Sequence, residues 1–193
     1  MGKQLYIVSH THWDREWYQP FQEYRARLVR FFDDLLDTLE KDENFAFFHL
    51  DGQTILIEDY LAVRPYNRER VMALLRAGRL IAGPWYVMPD EFLVSGESLV
   101  RNLQKGHSEC ARYGAQPMKN GYVTDIFGHI SQLPQILRGF GIDSALLYRG
   151  TDTRWKDAFR WIGADGSEVT AYRMDHERSY SNFYFAVRWP FEE

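Results

Sequence analysis

Residues 10–18 read HTHWDREWY, so two imidazoles, two carboxylates and three aromatic rings lie within nine positions, directly behind the apolar run Leu5-Tyr6-Ile7-Val8. Imidazoles and a carboxylate at alternate positions, as in His10, His12 and Asp14, form a donor set for zinc or another borderline transition metal. Calcium and magnesium favour all-oxygen shells. On this ground alone either histidine could be the ligand, and each could equally be a hydrogen-bonded structural residue. Further polar residues follow short apolar runs: Asp51 after residues 45–50, Trp85 and Asp90 after residues 80–82, Asp125 after residues 121–124, and Arg149 after residues 145–148. Some have an ordinary reading, since Asp51-Gly52 can simply turn the chain and Asp125 can cap a helix. Turn chemistry alone does not explain why all five runs end this way. Acidic groups gathered at one edge repel one another unless a positive charge joins them, and a divalent cation aided by Arg149 would do so.

Those residues must be positioned by the elements between them. Phe21, Tyr24, Leu28, Phe32, Leu35 and Leu39 form one stripe of a long helix that Pro20 can open. Residues 55–61 read as helical. Asn67 can cap a helix carrying Val71, Leu74 and Leu75 and closed by Gly78. Leu99, Leu103, His107 and Cys110 mark a helix that Gly114 ends, and Ser131 can cap a short one through Leu133, Ile136 and Leu137. Strands are expected at residues 5–8, 45–50, 80–82, 121–124 and 145–148, the first buried on both faces. Five alternations predict an α/β fold with a parallel sheet of right-handed crossover units, either open and doubly wound or closed as a barrel. Residues 159–162 and 168–172 flank Ala164-Asp165-Gly166-Ser167, which predicts a C-terminal β-hairpin. In parallel α/β folds, sites form at the carboxyl ends of the strands. No fixed-period repeat, low-complexity tract or linker interrupts the chain, so residues 1–193 are expected to form one unit.

Composition narrows the class. At 193 residues, 45% apolar and 26% charged, the chain is globular in type, and its net charge of −4 gives no footprint for nucleic acid or anionic lipid. The N-terminal apolar stretch is too short for a secretory signal, and no run approaches a membrane span. A single cysteine, Cys110, leaves no internal disulfide and suits a buried filler. The expected location is cytoplasmic.

Taken in order, HTHWDREWY, the LDGQ of residues 50–53, the GPWYVMPDE of residues 83–91 and the TDIFGH of residues 124–129 resemble the N-terminal part of the α-mannosidases of glycoside hydrolase family 38, particularly the bacterial ones. The likeness extends over essentially the whole chain. It implies an incomplete seven-stranded β/α barrel from the start of a catalytic domain, acting as a zinc-dependent retaining α-mannosidase on mannose-containing glycosides. Residue by residue, it implies that His12 and Asp14 are zinc ligands, and that Asp125 is both a third ligand and the nucleophile forming a covalent glycosyl-enzyme. Trp17 would lie under the sugar and Arg149 beside the nucleophile, with Asp90, Trp85 and Asp51 also on the substrate side. His10 matches a position that is not a ligand.

The family's acid/base Asp and a fourth ligand, a His, have no counterpart here, and His176 lies in a different context. The expectation is the first part of a longer enzyme, which alone would hold metal poorly and lack turnover. An unfinished barrel edge would invite self-association, including a homo-oligomer. Two other readings compete. A metal-dependent polysaccharide deacetylase would activate a zinc-bound water, but its paired acidic motif and H-x-x-x-H ligand pair are not visible. A non-catalytic sugar-binding fragment would keep the sugar-contacting residues without the acid.

Overall fold

The computed structural model describes residue 4 and residues 6–188. They gather into two compact units, one falling within residues 1–87 and 104–118 and the other within residues 88–103 and 119–188.

The first unit is organised by α1 (Phe21–Lys41), whose stripe buries Leu28, Val29, Phe32, Leu35, Leu36 and Leu39. Pro20 stands just before the helix, and its carbonyl accepts the N–H groups of Glu23 and Tyr24 at 3.0 and 3.2 Å. Phe32 stacks on Tyr60 of α2 (Ile55–Leu61), with ring centroids 4.8 Å apart. Asn67 sits at the start of α3 (Arg68–Arg76), but its side chain does not cap the helix. It donates to the buried Tyr60 hydroxyl, because that hydroxyl, itself donating to Asp33 at 2.7 Å, still has acceptor capacity to fill.

In this unit the strands are shorter than their apolar runs. β1 (Phe48–His49) and β2 (Leu80–Ile81) pair in parallel, with Phe48 opposite Leu80 and His49 opposite Ile81. Residues 6–8 of the first expected strand form no strand; just after them His10 makes a parallel bridge to His49, flanked by His49 N–H to Ser9 O at 2.9 Å and Thr11 N–H to His49 O at 3.4 Å. Leu5 lies outside the described residues. Tyr6, Ile7 and Val8 are 77%, 54% and 54% exposed, so burial on both faces does not occur. An apolar run becomes a buried strand only when other elements cover it, and among the described residues none does.

α4 (Gly96–Arg112) starts in the second unit and ends in the first, where Cys110 is fully buried. Burial pushes the Cys110 thiol up to about 12, which keeps it protonated and unreactive. The second unit holds a four-stranded sheet of β3 (Gly121–Val123), β4 (Ser144–Leu147), β5 (Ala158–Ile162) and β6 (Glu168–Arg173), in the order β3-β4-β6-β5. β3, β4 and β6 are parallel, and β5 returns antiparallel beside β6. The hairpin turn is closed by Gly163 N–H to Ser167 O at 2.7 Å, with Asp165 accepting the Ser167 N–H and hydroxyl. Ser131 does not cap α5 (Leu133–Gly139). Gln132 precedes the helix, and the Ser131 carbonyl instead accepts the Ala164 N–H from that turn at 2.9 Å.

The sheets are therefore one parallel pair and one mixed sheet, and no barrel closes among the described residues. No helix there is long and apolar enough to cross a membrane.

Candidate active site

The HTHWDREWY segment has no regular structure, yet side chains pin it in place. Trp13 packs between Tyr24 and Phe31 of α1, at 5.8 and 6.3 Å between centroids. Arg15 makes a two-pronged bond to Asp59 of α2, at 2.7 and 2.9 Å, and lies over the Phe21 ring. Gln53 donates to the Trp13 carbonyl at 3.2 Å. These anchors fix the backbone on either side of His12 and Asp14.

Asp51 explains the imidazoles. Leu50 O accepts Gln53 N–H at 3.0 Å, and Asp51 and Gly52 have φ of 51° and 77°. Two positive values in succession are what a type I′ turn requires, and the Asp-Gly pair supplies them at low cost. The turn aims a fully buried carboxylate at the first segment. One oxygen lies 3.0 Å from His10 Nδ1 and the other 2.6 Å from His12 Nδ1. With Nδ1 donating to Asp51, His12 presents Nε2 to Asp14, 3.3 Å from Oδ1. This is the carboxylate–imidazole arrangement that stands behind ligating histidines, and a nitrogen beside a carboxylate oxygen suits zinc. The fit extends to these two donors. Among the described residues no group of three or more His, Cys, Asp or Glu side chains is arranged to hold a metal. Asp51, at 0% exposure, is placed to orient His12.

His49 was not singled out by any motif. It sits behind this turn with Nδ1 accepting the Asp51 N–H at 3.0 Å and Nε2 3.0 Å from the Met118 sulfur. Burial pushes its imidazole down to about 4, with the Asp51 charge pulling upward and His10 adding to the depression. The unfolded chain, with an ordinary His value of 6.5, binds this proton more readily. The contribution is therefore intact above pH 6.5 and lost as pH falls towards 4. At roughly 1.4 kcal/mol per unit, the loss is on the order of 3 kcal/mol. Urea unfolding of the protein and of His49→Asn at pH 7, 5.5 and 4 should show the slope in the first and a flatter one in the second. Equal slopes would remove His49 as the cause.

In the second unit, Asp125 follows β3 and Arg149 follows β4. Arg149 Nε bonds Asp125 Oδ1 directly, and the Arg149 N–H donates to Thr124 O at 3.1 Å. The guanidinium also lies over Phe127 and Tyr148, at 5.4 and 5.8 Å. Burial works against its charge, but hydrogen bonding and attraction from Asp125, with Tyr180 adding to them, outweigh it, so Arg149 is held above its ordinary value. Behind the pair, Glu91 and His129 meet at 2.8 Å. Both fall inside quoted motifs, but single residues 38 positions apart gave no local sign that they pair.

The expected sugar-contacting residues divide. Trp17 is 65% exposed and its ring is open to a ligand. Trp85 is fully buried, with no exposed ring area. Its backbone joins the Asp51 turn, Trp85 N–H donating to Gly52 O at 3.0 Å. Asp90 is half-buried, with its carbonyl accepting the Leu93 N–H.

Comparison with known proteins bears on this arrangement. Residues 3–184 match the family model described as the glycosyl hydrolases family 38 N-terminal domain. A protein of Halalkalibacterium halodurans named "Putative mannosylglycerate hydrolase" is 42% identical over a 182-residue alignment that covers 88% of this chain and 20% of that protein. An α-mannosidase of Saccharomyces cerevisiae is 26% identical, over 87% of this chain and 16% of its own length. The crystal structure of an α-mannosidase from Enterococcus faecalis superposes with a TM-score of 0.83 at 41% identity, over 86% of this chain and 19% of that one. The chain thus spans about a fifth of the length of the relatives it matches.

Proposed function

Since this chain belongs to glycosyl hydrolases family 38, whose N-terminal domain it carries, we propose that it is the N-terminal portion of the catalytic domain of a zinc-dependent retaining α-mannosidase. In this reading residues 1–193 contribute part of a seven-stranded β/α barrel. His12, Asp14 and Asp125 are the zinc ligands, and the remaining ligand and the acid come from elsewhere in a longer protein. The observation that carries the reading is Asp125 held against Arg149 at the carboxyl ends of two parallel strands. The oriented His12 beside Asp14 adds to it.

A bound zinc would supply contacts to sugar hydroxyls and offset the negative charge around Asp125. Asp51 holds His12 in the ligating tautomer, and Arg149 holds Asp125 as a carboxylate. The Asp125 oxygen then attacks the anomeric carbon, forming an ester as the glycosidic bond breaks, while an acid about 5–5.5 Å away protonates the departing oxygen. Trp17 gives the sugar a face to lie on. Asp90 contacts the substrate.

A second substrate reading is favoured by the 42% identical relative, whose name specifies mannosylglycerate. It keeps every role above and changes only the leaving group. Cytoplasmic location and homo-oligomerisation belong to the same proposal, the former supported by the buried free thiol of Cys110.

The test is to incubate the full-length protein with an activated fluoro-mannosyl reagent and map the label. A glycosyl ester on Asp125 is expected, with retained product configuration from aryl α-mannoside or mannosylglycerate. The faster of those two substrates identifies the leaving group. An inverted product, or a label on another carboxylate, would overturn the mechanism. The 193-residue chain alone is expected to give no turnover.

A further inference from the structure

Arg149 is held by more than its ion pair. The geometry points to His129 as a positioning residue, locked by Glu91, that clamps the Arg149 main chain and so sets the guanidinium on Asp125. The inference rests on Asp125 being the nucleophile.

The clamp can be followed atom by atom. Arg149 N–H donates to Thr124 O at 3.1 Å, on the residue before Asp125. Arg149 O lies 3.0 Å from His129 Nε2. The backbone of Arg149 is therefore gripped at both its donor and its acceptor by the stretch that carries Asp125. His129 cannot tilt away, because Nδ1 is 2.8 Å from Glu91 Oε1 and its ring meets the edge of Trp161 at 5.5 Å. Glu91 is fixed in turn, since its other oxygen accepts the Ile130 N–H at 2.8 Å. The side chains of Glu91 and His129 are 0% and 6% exposed. A buried carboxylate with both oxygens engaged is a rigid mount for an imidazole.

Close backbone approach completes it. Gly150 has φ of 69°, and a Cβ there would stand 2.6 Å from Gly128 N and 2.7 Å from Gly128 Cα. The stretches after β3 and β4 touch main chain to main chain, which a side chain at Gly150 would prevent.

Such a mount matters because the Arg149 side chain is 45% exposed. An exposed Arg–Asp pair left to itself contributes little, since ordering a long side chain offsets the attraction. Anchoring the main chain at two points, with Phe127 and Tyr148 under the guanidinium, removes much of that freedom before substrate arrives. His129 and Glu91 touch neither sugar nor reacting atom in this scheme. Their effect reaches the chemistry through Arg149.

The experiment compares wild type with His129→Gln, His129→Asn and Glu91→Gln in the full-length protein, using the rate of fluoro-mannosyl labelling together with kcat and KM on an aryl α-mannoside. In both His129 variants, labelling and kcat should fall about 10- to 100-fold, the scale of a small misplacement at a reacting centre. KM should stay within about twofold. E91Q removes the carboxylate that holds His129 Nδ1, so labelling and kcat should fall in the same direction as in the His129 variants, though by less, and wild-type rates in folded E91Q would remove Glu91 from the clamp. Having two His129 variants covers the case where one fails to fold. Labelling at the wild-type rate in a folded His129 variant, or a raised KM with unchanged kcat, would overturn the clamp and leave the proposed mechanism standing. Wild-type label on a residue other than Asp125 would overturn both.

Discussion

Asp125→Asn should lower kcat/KM on an aryl α-mannoside by at least about 10³-fold, close to the limit of detection. The amide is nearly the same size as the carboxylate it replaces, so the half-buried site at the end of β3 keeps its packing. What it loses is the charge that, in the proposed mechanism, attacks the anomeric carbon, and the partner that holds Arg149. A 10³-fold loss corresponds to about 4 kcal/mol of barrier, more than a surface ion pair supplies. Loss of the nucleophile, rather than of the pair, must therefore dominate. Steady-state kinetics on folded protein, checked by circular dichroism, reads the result. Retention of more than about a tenth of wild-type activity would remove Asp125 from the nucleophile's role.

The second large effect is expected at Asp51. Replacing it with Asn keeps the turn, because Asn tolerates the left-handed conformation that residue 51 adopts. The substitution also keeps the volume at a position of 0% exposure. It removes the negative charge behind His12 and replaces one acceptor oxygen with an amide that cannot accept the imidazole N–H. Losing a carboxylate behind a ligating histidine typically costs 10- to 100-fold in metal affinity. Zinc titration of the apo full-length protein against a competing chelator should show that loss directly, without reference to turnover. His10→Gln, which disturbs the other Asp51 oxygen, should change zinc affinity much less. Equal losses in the two variants would mean that the buried network only holds the fold together.

Much of the local structure was legible in the sequence. The stripe from Phe21 to Leu39 lies on α1, and residues 55–61 form α2 with the expected limits. The Asp-Gly turn joins β5 to β6 as a hairpin. These features follow from contiguous chain, where helical spacing and turn chemistry act over a few residues. Elsewhere, local preference lost to distant partners. Asn67 keeps the cap position but its side chain goes to Tyr60, and the Ser131 carbonyl was taken by Ala164. Residues 6–8 are apolar but exposed, and Trp85 is aromatic but core.

The candidate site divides the same way. The residue types at His12, Asp14, Asp125 and Arg149, and the ordered motifs that carry the family likeness, are properties of the sequence. So is the Asp51-Gly52 turn. That Asp51 turns its buried carboxylate onto two imidazoles from residues 39 and 41 positions earlier was decided only in three dimensions. The same holds for Glu91 and His129, and for β6 rather than β5 lying beside β4. The reason is physical: spacing along a chain records which residues share a face, whereas buried polar groups choose partners by closure of the fold, and that choice leaves no periodic trace.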